Sequence, residues 1–305
     1  MRRSSPVPAA IRNAVKAWAG GAFAACGGFR RAGGLGVVFT FHRVLPDDAP
    51  VAGPMANLAV RQGDFRAFLA ETAARAVPLP LDEALLGDAA PADKPWFAVT
   101  FDDGWRDNFL HAFPVLEKLG IPATVFLATG AVEERRPFWW QGLDALGGDV
   151  EAAKALPAAE RARAAGEAFA RTGTERFRDD FLSWADIAEM EAGGLVRFGA
   201  HSHGHGILPS LGAAEAEADL ARNLALLRGK LSRPASRFFA WPDGQADARL
   251  VPALRAAGFA GAVATVPGCV LPGGGEWREI PRVNVDRAVA STRSLRRWAF
   301  AKALL

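Results

Sequence analysis

WFAVTFDDG, residues 96–104, is the stretch on which the reading of this chain turns. Its first six residues, Trp96 to Phe101, have the length and the β-branched and aromatic content of a buried strand. They run without a spacer into two adjacent carboxylates, Asp102 and Asp103, and a glycine. Two ionised carboxylates side by side at the end of an apolar run repel one another, and a cation between or beside them is the natural relief. Beyond them, Asn108 to Leu119 carries Leu110, Phe113, Leu116 and Leu119 at near-helical intervals and stops at Gly120. The segment therefore reads as strand, polar motif, helix.

The same grammar recurs on both sides. GVVFTF (36–41) ends at His42, Ile121 to Ala128 ends at Thr129-Gly130, and Val196 to Ala200 ends at HSHGH (201–205). Arg237 to Trp241 ends at Pro242-Asp243-Gly244, and Phe259 to Thr265 ends at Val266-Pro267-Gly268. A second helical pattern, Glu215 to Leu231, carries Leu220, Leu224, Leu227 and Leu231. Alternating strands and helices predict an α/β fold with a parallel sheet, and polar motifs at strand ends predict a (β/α) barrel with its site at that face. Residues 135–184, which open with PFWW (137–140) and close with FLSW (181–184), show no strand pattern. They read as a helical insertion over the barrel mouth.

Three of the five histidines fall in HSHGH. His201 and His205 with one carboxylate make a His2Asp donor set, which leaves a fourth coordination position open for chemistry. Gly204 and Gly206 disfavour a helix, so the pair sits on a loop. Alone, HSHGH reads equally well as a polar surface loop; TFDDG beside it favours ligation.

TFDDG (100–104) and His201-Ser-His-Gly-His205 resemble the two leading motifs of the NodB-type polysaccharide deacetylases, carbohydrate esterase family 4. The resemblance implies a distorted (β/α)7-type barrel. It implies a divalent metal, zinc foremost, held by Asp103, His201 and His205, with Asp102 as the catalytic base that takes a proton from the attacking water. In RFFAWPDG (237–244), Ala240 occupies the place where many members carry the arginine that tethers this base. Arg282, in IPRV (280–283), is the candidate to supply that guanidinium or to reach the substrate, against an ordinary structural arginine. Trp241, Pro242 and Gly244 fit a groove wall, and Trp139 and Trp140 are candidates for stacking on pyranose faces, weighed against core or lid anchors. No histidine follows His205 to serve as the late general acid of the family. Phe41-His42-Arg43 instead resembles the segment that comes first in the bacterial exopolysaccharide deacetylases of the poly-N-acetylglucosamine type, which makes His42 the candidate acid. His203 and His111 are left outside the site.

The expected activity is removal of N-acetyl groups from N-acetylated sugars of a polysaccharide, an oligosaccharide or a glycan precursor, within cell-envelope or exopolysaccharide chemistry. Two rivals stand: an amidohydrolase or esterase for a small non-sugar substrate on the same scaffold, and a non-catalytic glycan-binding protein that keeps the metal site.

The bulk numbers fit one catalytic domain, residues 36–305, preceded by a basic segment, 1–35. At 305 residues and 50% apolar content, a large core can be buried. Seven of the basic residues precede the first acid, Asp47, which leaves 29 basic against 33 acidic residues in the body. That distribution argues against a nucleic-acid partner. The basic end is a candidate for peripheral contact with a membrane. AWAGGAFAACGGF (17–29) is shorter than the ~20 residues that span a bilayer, and a leading amphipathic helix in a cytoplasmic or membrane-peripheral protein is favoured over secretion. Cys26 and Cys269 are too few for a disulfide framework.

Overall fold

The six runs read above as strands all become strands in the computed structural model, which describes residues 33–304 apart from 52, 88–89, 92 and 272–276, together with positions 13, 16 and 19–21. The strands are β1 (Gly36–Phe41), β2 (Arg43–Leu45), β3 (Ala59–Arg61), β4 (Val77–Pro78), β5 (Trp96–Phe101), β6 (Ala123–Leu127), β7 (Val196–Ala200), β8 (Phe238–Ala240), β9 (Gly261–Val263), β10 (Arg278–Ile280) and β11 (Arg282–Asn284). The basic segment 1–35, with its expected membrane contact, lies outside the described residues except at its last positions and the few noted. Among the described residues no helix is long and apolar enough to cross a membrane.

The main sheet runs β10-β9-β8-β7-β6-β5-β1-β11, with β4 added alongside β5, and all its ladders are parallel. Its two ends are neighbours in sequence, separated only by Pro281. Proline has no N–H to donate to a ladder. One run of chain thus pairs with β9 before Pro281 and with β1 after it, and the sheet nearly closes into an eight-strand barrel. Counted as a single split strand, that run gives the seven positions of a distorted (β/α)7-type barrel.

Alternation along the strands sorts the side chains. Phe39, Phe41, Phe97, Val99, Phe101, Val125 and Leu127 form one buried layer with Phe65 and Phe68 of α1 (Gln62–Ala73). Phe39 meets Phe68, and Phe41 meets Phe65, edge to face with centroids 5.0 Å apart. Full burial of each such ring contributes about 1.5–3 kcal/mol. Residues of the other parity, Val38, Ala98, Phe126, Ala240 and Val263, form a second layer. Thr40, Thr100 and Asp102 share that parity and continue it toward the carboxyl end. Gly36 is required at the opposite end, because the Trp96 ring occupies the place where a Cβ would project.

The helix expected over Asn108–Leu119 begins as a π-helical turn, Asn108–Ala112, and becomes α-helical only at α2 (Phe113–Leu119). The wider turn takes Leu110 off the apolar face, and it is 47% exposed. Residues 135–184 hold three helices, Gln141–Ala145, Val150–Lys154 and α3 (Ala158–Thr172), with a 3-10 segment, Glu175–Asp180. The pattern over Glu215–Leu231 is α4 (Ala213–Lys230).

Candidate active site

Asp102 and Asp103 follow β5, His201 follows β7, and His42 follows β1. All four line one cleft of about 410 Å3 at the carboxyl end of the barrel, together with His205, Gly244 and Asn284. Trp139, Trp140, Glu151 and Lys154 of the insertion form its other side.

Asp102 is 3% exposed and is held from behind. Arg282, fully buried, donates from Nη1 to Oδ1 and from Nη2 to Oδ2, each at 2.7 Å. The same guanidinium reaches Thr100 Oγ1 at 3.2 Å and the Ala264 carbonyl at 3.1 Å. Burial alone would raise the Asp102 carboxyl; the charge of Arg282, then that of His201, outweighs it and keeps the group below its ordinary value. Arg282 therefore sits behind the Asp102 carboxylate rather than in the cleft, and tethers it as Ala240 cannot. Ala240 has a different part: its carbonyl is 2.8 Å from His201 Nδ1.

That contact fixes a tautomer. A carbonyl only accepts, so Nδ1 carries the proton, and Nε2 turns toward Asp103. His201 Nε2, His205 Nε2 and Asp103 Oδ1 form a triangle with edges of 3.1, 3.0 and 3.4 Å. Ligand atoms of a tetrahedral ion with bonds of about 2.0–2.1 Å stand roughly 3.4 Å apart, so the triangle fits a zinc-sized cation with one position left over. Trp105 Nε1 donates to the other Asp103 oxygen at 2.7 Å, leaving Oδ1 for the triangle. Burial would raise the Asp103 carboxyl, but hydrogen bonds from His201 and His205 overturn this and hold it well below the usual range. Burial lowers His201, whereas its bond to Asp103 and the two carboxylate charges raise it, with a net rise. The field at Nε2 thus favours positive charge, which suits a proton or a cation alike. Phe138 and Trp140 pack on the His205 ring, each with centroids 4.8 Å away.

His42 is half-buried, and its Nδ1, itself out of reach of solvent, has no partner among the described residues. Burial pulls its pKa down against the opposing charges of Asp103 and Asp102. Its backbone is fastened to the segment after TFDDG. Asn108 Nδ2 donates to the His42 carbonyl at 2.8 Å, and Asp107 accepts from Val44 N at 2.9 Å and from Arg43 Nε at 2.7 Å. Arg43 in turn lies 4.4 Å over the Trp105 ring.

The aromatic expectations divide. Trp139 and Trp140 line the cleft. Trp241 does not: it is fully buried, with Nε1 donating to Glu279 Oε2 at 2.9 Å, and so cannot stack on a sugar. An apolar ring at the end of β8 is buried beside Phe239, 4.9 Å between centroids, rather than turned to the cleft. Pro242 is buried as well, and Gly244 is the member of this motif that reaches the cleft, with Asp243. Sequence reasoning missed Trp105, Asp107, Asn108, Lys154 and Asn284; the first three follow TFDDG directly, and that adjacency was the available signal.

Carboxylates and imidazoles gathered at the carboxyl face of a parallel barrel, lining one cleft, are the arrangement of a barrel enzyme's active site. The family model described as polysaccharide deacetylase matches residues 89–262, and the chain belongs to that family, whose members remove acetyl groups. Among solved structures, IcaB from Ammonifex degensii superposes with a TM-score of 0.59 at 24% identity, over 88% of this chain and 97% of that one. The deacetylase PplD of Streptococcus pyogenes gives 0.61 at 15% identity, over 90% and 100%. A de-N-acetylase from Aggregatibacter actinomycetemcomitans gives 0.60 at 16%, over 85% and 96%. At these identities the three establish the shared fold. A 43-residue stretch is 46% identical to YxkH of Bacillus subtilis, named as a polysaccharide deacetylase, and spans 14% of this chain and 15% of that one.

Proposed function

We propose that this protein is a metal-dependent N-deacetylase of N-acetylated glycans, the sugar being part of a polysaccharide, an oligosaccharide or a glycan precursor. The observation that carries the reading is the buried triangle of His201 Nε2, His205 Nε2 and Asp103 Oδ1 with the Arg282-held carboxylate of Asp102 beside it. Asp103, His201 and His205 would hold a divalent cation, zinc foremost for an N2O set with an open position, which when bound would supply polarisation of the acetamide carbonyl and a more acidic water.

The chain's own groups supply the rest. Asp102, ionised at neutral pH, accepts the proton of the attacking water, and Arg282 keeps the carboxylate in one orientation while it does so. His42, across the same cleft, is placed to give a proton to the departing amine. Burial disfavours a charged His42 and lowers its pKa, so its protonated form gives up the proton readily. Trp139, half-buried on the cleft, offers an apolar face to the sugar ring with the buried Trp140 packed beside it, and Asn284 Oδ1, buried without a partner among the described residues, is free to accept from a substrate N–H or O–H. Support for a sugar amide over a small non-sugar amide comes from this aromatic side of the cleft and from membership of the polysaccharide deacetylase family.

Acetate release from N-acetylglucosamine oligomers, measured beside release from small acetamides by zinc-loaded protein, tests the reading. Preference for the oligomers supports it. Turnover of small amides alone moves the function to a non-sugar amidohydrolase, and sugar binding without acetate release moves it to a glycan-binding role.

A further inference from the structure

The loop 201–205 must turn two imidazoles inward while Ser202 and His205 lie at φ 62° and 52°. Residues other than glycine avoid this left-handed region, and such geometry persists where surrounding structure over-determines it. The surroundings are specific. On α4, Asp219 accepts from His203 N through Oδ1 and from Gly204 N through Oδ2, both at 2.7 Å. One turn further along, the fully buried Asn223 directs its side-chain NH2 toward the Ser202 and Leu127 carbonyls and Thr129 Oγ1. The three residues between the ligands are thereby tied down while the ligand rings stay free of these bonds. The His203 ring turns to the far side, 3.1 Å from Thr129 Oγ1 and 3.2 Å from Glu134 Oε1, which explains why the middle histidine does not join the triangle. Gly204 suits the arrangement, since a Cβ there would stand 3.1 Å from Asp219 Oδ2.

We propose that Asp219 and Asn223 are positioning residues for the metal centre, acting through the backbone of the loop that carries His201 and His205. The proposal rests on the metal-dependent reading above. The four-residue spacing puts both on one face of α4, and a carboxylate accepting two consecutive backbone N–H groups makes strong, charge-assisted bonds. Neither residue touches the ligand triangle, so the effect is one of geometry rather than of donor chemistry.

The test uses the full chain and two readouts: zinc affinity by competition with a chromogenic chelator, and amide hydrogen exchange over residues 201–205 in the metal-free protein. Asp219→Ala and Asn223→Ala are each expected to weaken zinc binding by about 10- to 100-fold, the range seen when partners behind metal ligands are removed. Asp219→Ala is also expected to speed exchange at the amides of His203 and Gly204. Asp219→Asn, which keeps one carbonyl acceptor, falls between, and Glu217→Ala, at an exposed position of the same helix, matches the wild type. Zinc affinity in Asp219→Ala within about twofold of the wild type overturns the proposal. Should the wild type bind no zinc, the metal reading itself fails, and hydrogen exchange still judges the brace: unchanged exchange refutes it, faster exchange upholds it.

Discussion

On the barrel side of the cleft, Asp102, Asp103, His201 and His205 are 2–6% exposed, and all but one of their side chains is held by a specific donor or acceptor from behind. His205 is the exception, fixed by Phe138 and Trp140 instead. Farther out on the insertion side, Lys154 on the cleft wall meets the barrel through an ion pair, Nζ to Asp243 Oδ1 at 2.6 Å, with both side chains more than a fifth exposed and Glu151 competing for the same ammonium at 2.9 Å. A buried bidentate pair has one geometry and is costly to break, whereas a half-exposed pair contributes roughly 0–1 kcal/mol. The difference teaches where rigidity has been placed: the buried carboxylates and imidazoles of the site are preorganised, and the Lys154 end of the insertion wall is held weakly enough to adjust.

Substitutions should therefore lose effect from the barrel side to the insertion side. The largest loss is expected for Asp102→Asn, which keeps the shape and removes the base; kcat for acetate release should fall on the order of 10⁴-fold, at the upper end for a general base, with the fold intact by circular dichroism. Next comes Arg282→Ala. Leaving Asp102 buried without its partner should cost about 3–5 kcal/mol in denaturant unfolding. The sign with pH follows from the depressed Asp102 pKa in the folded protein. The pair's contribution is complete above the unfolded value of about 3.9 and is lost as pH falls through the lower folded value, so wild type and variant converge in acid. In the variant, burial is opposed only by the charges of His201 and His42, and the acid limb of kcat/KM should move to higher pH.

His42→Ala should lower kcat by about 10²-fold, and less on a substrate analogue whose leaving group needs no proton. The smallest change is expected at Lys154→Ala. Stability should shift by less than about 1 kcal/mol, and any kinetic effect should fall on KM for oligomers rather than on kcat. A large kcat loss there would break the contrast between the two sides, because it would make the insertion part of the catalytic machinery.

The barrel was legible in the sequence because its strands are short apolar runs that stop at polar motifs, and all six appear within a few residues of their expected ends. The closing strand was not, since REIPRVN (278–284) is polar and interrupted by Pro281, and only its pairing with β9 and β1 identifies it. In the site, motif residues announced themselves, but partners far along the chain did not. Arg282 is 180 residues from Asp102, and Asp219 lies on a helix whose charged residues read as an ordinary solvated face. Trp241 shows the opposite error: an aromatic ring beside a functional loop invited a sugar-binding reading, and burial beside Phe239 claimed it instead. Leu110 was misplaced because a π turn changes the period on which the helical pattern rests.

The most direct test of the central claim is a zinc titration of chelator-treated protein, followed by acetate release from N-acetylglucosamine oligomers. Activity should be absent without metal, rise with added zinc and saturate at about one equivalent per chain, as one three-ligand site requires. Full acetate release by verified metal-free protein would contradict the account.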